Sequence, residues 1–394
     1  MGNKKKIYVI ISSIVVILLL LITLVILPLY HLYQGNTAYA KAEYDVAIQQ
    51  YAKALGYGNA SKKINSSYYE KGKINLSLEE YEQAIENLKN ANGYEDTDKL
   101  LEDIALNLIK NKNYSLAITA YEIIKNIEQP THYNYAIACS ALEDENDYKK
   151  AIETFNLCLD VEEASEKIKV AYYKLAKSNV SEKEYIQAKE NFTMANGYED
   201  SAYMINVCDF LRAEDLWYNG SYESAVEIYK NLPRDFSYED INVNNKINGF
   251  NNYKKLKELE GYYETTSSDY HVKQVHRSTG IWNGWDNTGS NGSFEIEVSL
   301  LQNGNVKIHG SAEGRRYTNY SSISSSLRDS TFGVIFNKEL TTNTLSPGVL
   351  ESYDSKTLKY NGNNKFTLSL NEVDNSQDVY FKYVYTSNFV FTKQ

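Results

Sequence analysis

The sequence predicts a multidomain α plus β protein: an N-terminal transmembrane helix, an α-solenoid of about six helical hairpins, and a C-terminal antiparallel β-barrel or sandwich. Three observations carry this expectation. Residues 7–29 run without a charge, a Tyr-x-x-Ala pattern recurs six times between residues 44 and 225, and beyond residue 259 the apolar period shortens from helical to two. At 394 residues the chain is longer than the roughly 250 at which a single hydrophobic core stops growing, so several domains are expected.

The apolar run, IYVIISSIVVILLLLITLVILPL, would span about 34 Å as a helix, enough to cross a bilayer. A cleaved signal peptide is the alternative, with Ala38-Tyr39-Ala40 as its small-x-small site. Against it, the run exceeds the roughly 7 to 15 residues of a signal core, and the alanines lie well past its end. Lys4, Lys5 and Lys6 precede the segment, and the first basic residue after it is Lys41, which places the N-terminus in the cytoplasm and the bulk of the chain outside. The expected order is a basic tail (1–6), a single-pass membrane helix (7–29), a helical array with a capping helix (31–258) and a β-domain (259–394).

The formal net charge is −10. It is uneven, with about −11 over residues 31–258 and about −2 over 259–394. An acidic surface without a basic stripe repels phosphate backbones, so nucleic acid is not an expected partner. The frequency of Tyr (36 residues), Asn, Lys and Ile resembles AT-rich bacterial coding. Cys139, Cys158 and Cys208 have no metal or redox spacing and are expected to be small buried side chains, and so few cysteines suit an extracytoplasmic Gram-positive surface.

The repeated pairs are Tyr44/Ala47, Tyr81/Ala84, Tyr114/Ala117, Tyr148/Ala151, Tyr185/Ala188 and Tyr222/Ala225. Four residues after each Ala comes a large apolar residue: Tyr51, Leu88, Tyr121, Phe155, Phe192 or Tyr229. Nine residues before each Tyr stands a small one: Gly35, Gly72, Ala105, Cys139, Ala176 or Ala213. Two antiparallel helices that cross closely need small residues at the contact, with a large one filling the space beside it. Between units, ANGYEDT (91–97) and ANGYEDS (195–201) read as a helix stop at Gly93 and Gly197. A start follows, capped by Asp96 or Thr97 and by Asp200 or Ser201. The copies are 104 residues apart, as expected of a duplicated three-hairpin block, and GYGNAS (56–61) is a weaker third copy.

This pattern resembles the tetratricopeptide repeat family over roughly residues 31–236, although the family's helix A Trp is absent and closing prolines occur only near Pro130 and Pro233. The resemblance implies a superhelix with a binding groove lined by the first helix of each hairpin. On that register Tyr69, Lys73, Tyr133, Tyr173 and Lys177 are candidate groove residues, with ordinary solvated helix positions as the alternative.

After Lys254–Glu258, the expected end of a capping helix, Phe294, Ile296, Val298 and Leu300 alternate with polar residues. The chain then turns at Asn303-Gly304 into Val306 and Ile308. A second hairpin pairs 357–360 with 366–370, Val379 to Tyr385 forms a later strand, and Phe389 with Phe391 a final one. Some seven or eight strands are expected. Leu259-Glu260-Gly261-Tyr262-Tyr263 followed by such a meander resembles a lipocalin-type domain, with Gly-Tyr-Tyr where that family has Gly-x-Trp.

Catalytic signals are absent: His271, His276 and His309 lack ligand spacing, and SSISSS (321–326) lacks nucleophile-elbow glycines. No enzyme and no cofactor is expected. Trp282 and Trp285 either stack on a sugar or peptide or anchor their Gly-rich segment to the sheet. The leading expectation is a membrane-anchored extracytoplasmic scaffold that binds a protein or peptide partner at the cell envelope. The alternative is a cell-surface protein whose β-domain binds lipid or glycan, with the solenoid as spacer.

Overall fold

The computed structural model describes the backbone of residues 2–125, 130–280, 282–287, 289–317, 329–340, 347–353, 356–374 and 381–394. Side chains are described for these except 2–4, 267–276, 282–287, 289, 290, 316, 317, 329–332, 334, 350, 351, 353, 372, 374 and 381–385. The chain forms two compact units, Met1–Ala202 and Tyr203–Gln394.

The first unit begins with one long helix, made of α1 (Gly2–Leu21), a π-helical turn (Ile22–Ile26) and α2 (Leu27–Ala40). The wide turn falls just before Pro28, whose ring offers no N–H and crowds the carbonyl four residues back. From Lys5 to Ala40 this helix is long and apolar enough to cross a membrane, and the side chains of its apolar stretch are exposed.

Helical hairpins follow without a break, because α2 is also the first helix of the first hairpin. The pairs are α2 with α3 (Tyr44–Lys53), α4 (Ala60–Ser77) with α5 (Tyr81–Ala91), and α6 (Thr97–Lys110) with α7 (Tyr114–Ile123). Then come α8 (Pro130–Glu143) with α9 (Tyr148–Phe155), α10 (Ala164–Ser181) with α11 (Tyr185–Met194), and α12 (Ser201–Tyr218) with α13 (Tyr222–Asn231). Each repeated tyrosine is the first residue of its second helix. Two positions earlier the chain always takes a left-handed conformation, at Ala42, Glu79, Lys112, Asn146, Lys183 and Gly220. In all hairpins but the fourth, the next N–H bonds the carbonyl five residues back, as Glu43 does to Ala38 and Ser221 to Leu216. This Schellman-type closure ends the first helix and turns the chain for the second.

The predicted packing register is met in every hairpin. The six small residues and the six motif alanines are all buried, and none of the six large residues is more than 2% exposed. Small and large residues meet directly: a Cβ on Gly72 would lie 2.9 Å from Cδ2 of Leu88. Cys139 takes the small-residue place in the fourth hairpin and is fully buried, as are Cys158 and, to 1%, Cys208.

The 104-residue duplication extends to side-chain hydrogen bonds. Asn87 donates to Asn75 at 2.8 Å and Asn75 to Glu80 at 2.6 Å, while Asn191 donates to Asn179 at 2.8 Å and Asn179 to Glu184 at 2.7 Å. The three copies of the inter-hairpin turn share left-handed residues at their second, third and fifth positions, and the first copy adds a fourth at Asn59, φ 58, where Asp96 has φ −93. Leu55, Gly56 and Gly58 have positive φ, as do Asn92, Gly93 and Glu95, and Asn196, Gly197 and Glu199. The expected Asp96 side-chain cap is not formed, because its carboxylate accepts the Tyr69 hydroxyl instead.

The second unit joins the last hairpin, a two-stranded ribbon of β1 (Ser237–Tyr238) and β2 (Ile241–Asn242), α14 (Val243–Lys257) and a curled antiparallel sheet. The sheet contains β3 (Gly261–His276), β4 (Trp282–Asn287), β5 (Gly289–Leu300), β6 (Val306–Tyr317) and β7 (Asp329–Leu340). Its other strands are β8 (Gly348–Tyr353), β9 (Lys356–Gly362), β10 (Lys365–Asp374) and β11 (Phe381–Lys393). They are ordered β7-β6-β5-β3-β11-β10-β9-β8, with β4 paired to the C-terminal half of β3. This is an open half-barrel. Both predicted hairpins form, with Leu300 opposite Val306 and Tyr360 opposite Phe366. The two expected C-terminal strands are one continuous β11, whose described part runs from Phe381; Val379 lies outside the described residues. Long β3, β4, β7 and β8 were not foreseen.

Alternate residues fill the inner face: Tyr263, Phe294, Phe366, Phe389 and Phe391 are each at most 1% exposed, with Phe294 and Phe366 centroids 5.2 Å apart. Gly310 makes room for the Phe294 ring, since a Cβ there would lie 2.6 Å from Cε2. Leu256 of α14 and Leu259 share this core, so helix and sheet are packed together across residue 258.

Candidate binding surfaces

The tyrosines expected to line a groove do a different job. Tyr69 and Tyr173 are 5% and 7% exposed, so neither ring is open to a ligand. Tyr69 donates to Asp96 and packs at 5.6 Å against Tyr94; Tyr173 donates to Asp200 at 2.7 Å and packs at 5.4 Å against Tyr198. The partners are the Tyr and Asp of the ANGYED turns. Each aromatic thus locks the first helix of its hairpin to the turn that follows the second. Hydrogen bonding to the carboxylate, with burial, pushes both hydroxyls well above the usual tyrosine range and keeps them neutral.

Lys73 and Lys177 are exposed, with their ammonium groups 5.2 and 5.5 Å from the Tyr69 and Tyr173 ring centres. They cover these rings against water. Tyr133 is half-buried and packs on Tyr121 at 5.6 Å. Its hairpin differs from those of Tyr69 and Tyr173. The side chains of Trp282, Trp285, His271 and His276, and the segment SSISSS, lie outside the described residues. His309 Nδ1 is 2.7 Å from Asn337 Oδ1 on the neighbouring strand.

A cleft of about 670 Å³ opens on the face of the first unit formed by second helices. Ile85 and Leu88 of α5 and Leu116 and Ile123 of α7 supply its apolar lining, and its charged lining is Glu82, Glu86, Asp98 and Glu122 with Lys89 and Lys125. Lys125, two residues past the end of α7, donates to Asn92 at 3.0 Å across the cleft lining. An apolar lining with a few charged groups is the usual build of a binding site. The family register directed attention to first helices, and this site therefore went unforeseen. The available signal was Glu82 and Glu86, four residues apart on the exposed side of one helix.

In the second unit a polar depression of about 580 Å³ is lined by Tyr262, Glu264, Asn291, Ser293, Glu313 and Arg315 among others. It lies on the outer side of the strands whose inner residues form the aromatic core. At the β5–β6 turn, the fully buried Lys246 of α14 donates to Glu214 at 2.9 Å and sits 4.7 Å from the Trp217 ring centre, while Tyr229 donates to the same carboxylate. Burial lowers the Lys246 pKa, and Glu214 opposes the shift. No free face of Lys246 is left for a ligand.

Comparison with protein-family models and with curated proteins finds no match for this chain.

Proposed function

We propose that this protein is a membrane-tethered, extracytoplasmic adaptor whose hairpin array, tetratricopeptide-like in its register, holds a protein or peptide partner. The observation that carries this reading is the continuity of one helix: the apolar Lys5–Ala40 segment runs directly into the first hairpin of the array that bears the cleft. Lys4, Lys5 and Lys6 favour an inside N-terminus. The cleft's apolar lining and its excess of four carboxylates over two lysines suit a segment carrying apolar and basic side chains. The filled inner face of the half-barrel, among the described residues, favours this reading over a lipid carried inside the β-domain.

Protease added to intact protoplasts is expected to reduce the chain to a short N-terminal fragment; full protection beyond residue 31 removes the outside assignment. The cleft is tested by reversing two exposed charges, Glu86→Lys with Glu122→Lys, in the full chain. Recovery of partners from envelope extracts should fall without a change in melting temperature. Unchanged recovery excludes the cleft.

A further inference from the structure

We infer that the first inter-hairpin turn, residues 54–59, is a membrane-docking element that rests in the anionic headgroup layer of the bilayer crossed by the N-terminal helix. The inference rests on the tether proposed above. The long helix leaves the apolar stretch at Leu29 and displays Tyr30 and Tyr33, 54% and 67% exposed, at the level where aromatic side chains meet headgroups. The second helix of the first hairpin runs back toward the membrane. His31 Nδ1 lies 2.8 Å from Gln50 Oε1, and Gly58 packs directly on the Leu32 side chain. Leu32 is three residues past Leu29, or about 4.5 Å along the helix, and headgroups extend about 5 to 7 Å beyond the hydrocarbon. The turn is therefore held at headgroup depth.

The chain supplies its own comparison, because the other two copies of this turn match it at the left-handed second, third and fifth positions and differ from it at the sixth, Asn59. In them the sequence is Ala-Asn-Gly-Tyr-Glu-Asp; here it is Ala54-Leu55-Gly56-Tyr57-Gly58-Asn59. Asn92 and Asn196 suit the left-handed conformation, whereas Leu55 adopts it at φ 53 with its side chain 64% exposed. Folding gains nothing from an exposed leucine at that position; contact with lipid explains it. The two acids have become Gly58 and Asn59. No acidic residue occurs between Asp45 and Glu70, while Lys53, Lys62 and Lys63 flank the turn. In an array that is otherwise acidic, the one turn held against the membrane is apolar at its tip and basic at its sides, which complements anionic lipid.

The test uses the full chain in bilayers containing phosphatidylglycerol, with an environment-sensitive fluorophore on Leu55→Cys or, as a second position, Lys53→Cys. The three native cysteines are buried and will not compete for label. Leu78, 61% exposed at the far end of the 18-residue α4, is the reference, and Leu20→Cys reports the membrane helix. Headgroup-attached quenchers should quench Leu55→Cys several-fold more than Leu78→Cys, and Lys53, Lys62 and Lys63→Gln together, or phosphatidylcholine alone, should reduce the difference. If tail-attached quenchers reach Leu20→Cys while the labels at 55 and 53 match Leu78, docking is overturned and the tether stands. If Leu20→Cys is not quenched, the tether fails and docking with it. Equal quenching in both lipids overturns the role of the lysines.

Discussion

The backbone of Gly35 lies against the ring of Tyr51, so that a methyl group on Gly35 would sit 2.6 Å from Cδ1. The two residues are 16 apart, and the same spacing joins the small and large residues of every hairpin. Gly35→Ala should destabilise the first hairpin, because a clash with a buried ring outweighs the about 1 kcal/mol that Ala gains over Gly in a helix. Ala105→Leu and Ala176→Leu should cost about 1 to 3 kcal/mol each, and Lys110→Ala, which is exposed, much less. Thermal unfolding measures all four; equal shifts for packed and exposed positions would remove the register.

The recurring left-handed residue makes an opposite prediction. Glu79, Lys112 and Lys183 have φ of 60°, 60° and 62°, in a region that strains a side-chain-bearing residue, and only the sixth hairpin uses glycine there. Glu79→Gly, Lys112→Gly or Lys183→Gly should each stabilise by roughly 0.5 to 1 kcal/mol. Gly220→Ala should destabilise by a similar amount, and denaturant titration reads both signs.

These closures were only partly legible in the sequence. The spacing of Tyr, Ala and the small residue is visible because packing needs fixed sizes at fixed intervals, and it located the six hairpins but not the ends of their helices. The left-handed positions were invisible because Ala42, Glu79 and Lys112 carry no conformational signature of their own. Tyr69 and Tyr173 were misread for a related reason: a tyrosine on a first helix serves a groove or a core equally well until its hydroxyl partner, Asp96 or Asp200, is located. Strand β3 escaped because its middle, Glu264 to Asp269, is polar throughout, and β7 because Val334-Ile335-Phe336 is a continuous apolar run without the alternation that marks β5 and β10.

Alkaline pH should expose the buried tyrosines. Tyr69 and Tyr173 are held above their usual pKa by carboxylate acceptors, and Tyr263 by burial. A folded-state value above the unfolded one means that their contribution is intact below about pH 10 and is lost as pH rises further. The denaturation midpoint should therefore fall above about pH 10, and Tyr69→Phe with Tyr173→Phe should flatten that fall.

In the second unit, α14 meets the β5–β6 turn at Gly249 and Gly304, where a Cβ on Gly249 would overlap the Gly304 carbonyl. Trp217 Nε1 also donates to the Leu301 carbonyl at 3.3 Å. Gly249→Ala should therefore cost more than about 2 kcal/mol. Glu214→Ala, which leaves Lys246 buried without its counter-ion, should cost about 3 kcal/mol, and Lys246→Met much less. Comparable losses for Glu214→Ala and Lys246→Met would contradict this reading of the buried pair.

The most direct measurement is photo-crosslinking in intact cells, with a photoreactive amino acid placed in the full chain at Glu86 or Glu122 of the cleft lining, and at Tyr218, 75% exposed, as reference. A protein adduct of one discrete size from both cleft positions, and not from Tyr218, is the expected result. Adducts from Tyr218 alone, or no protein adduct from either cleft position, would contradict an adaptor that binds through its hairpin array.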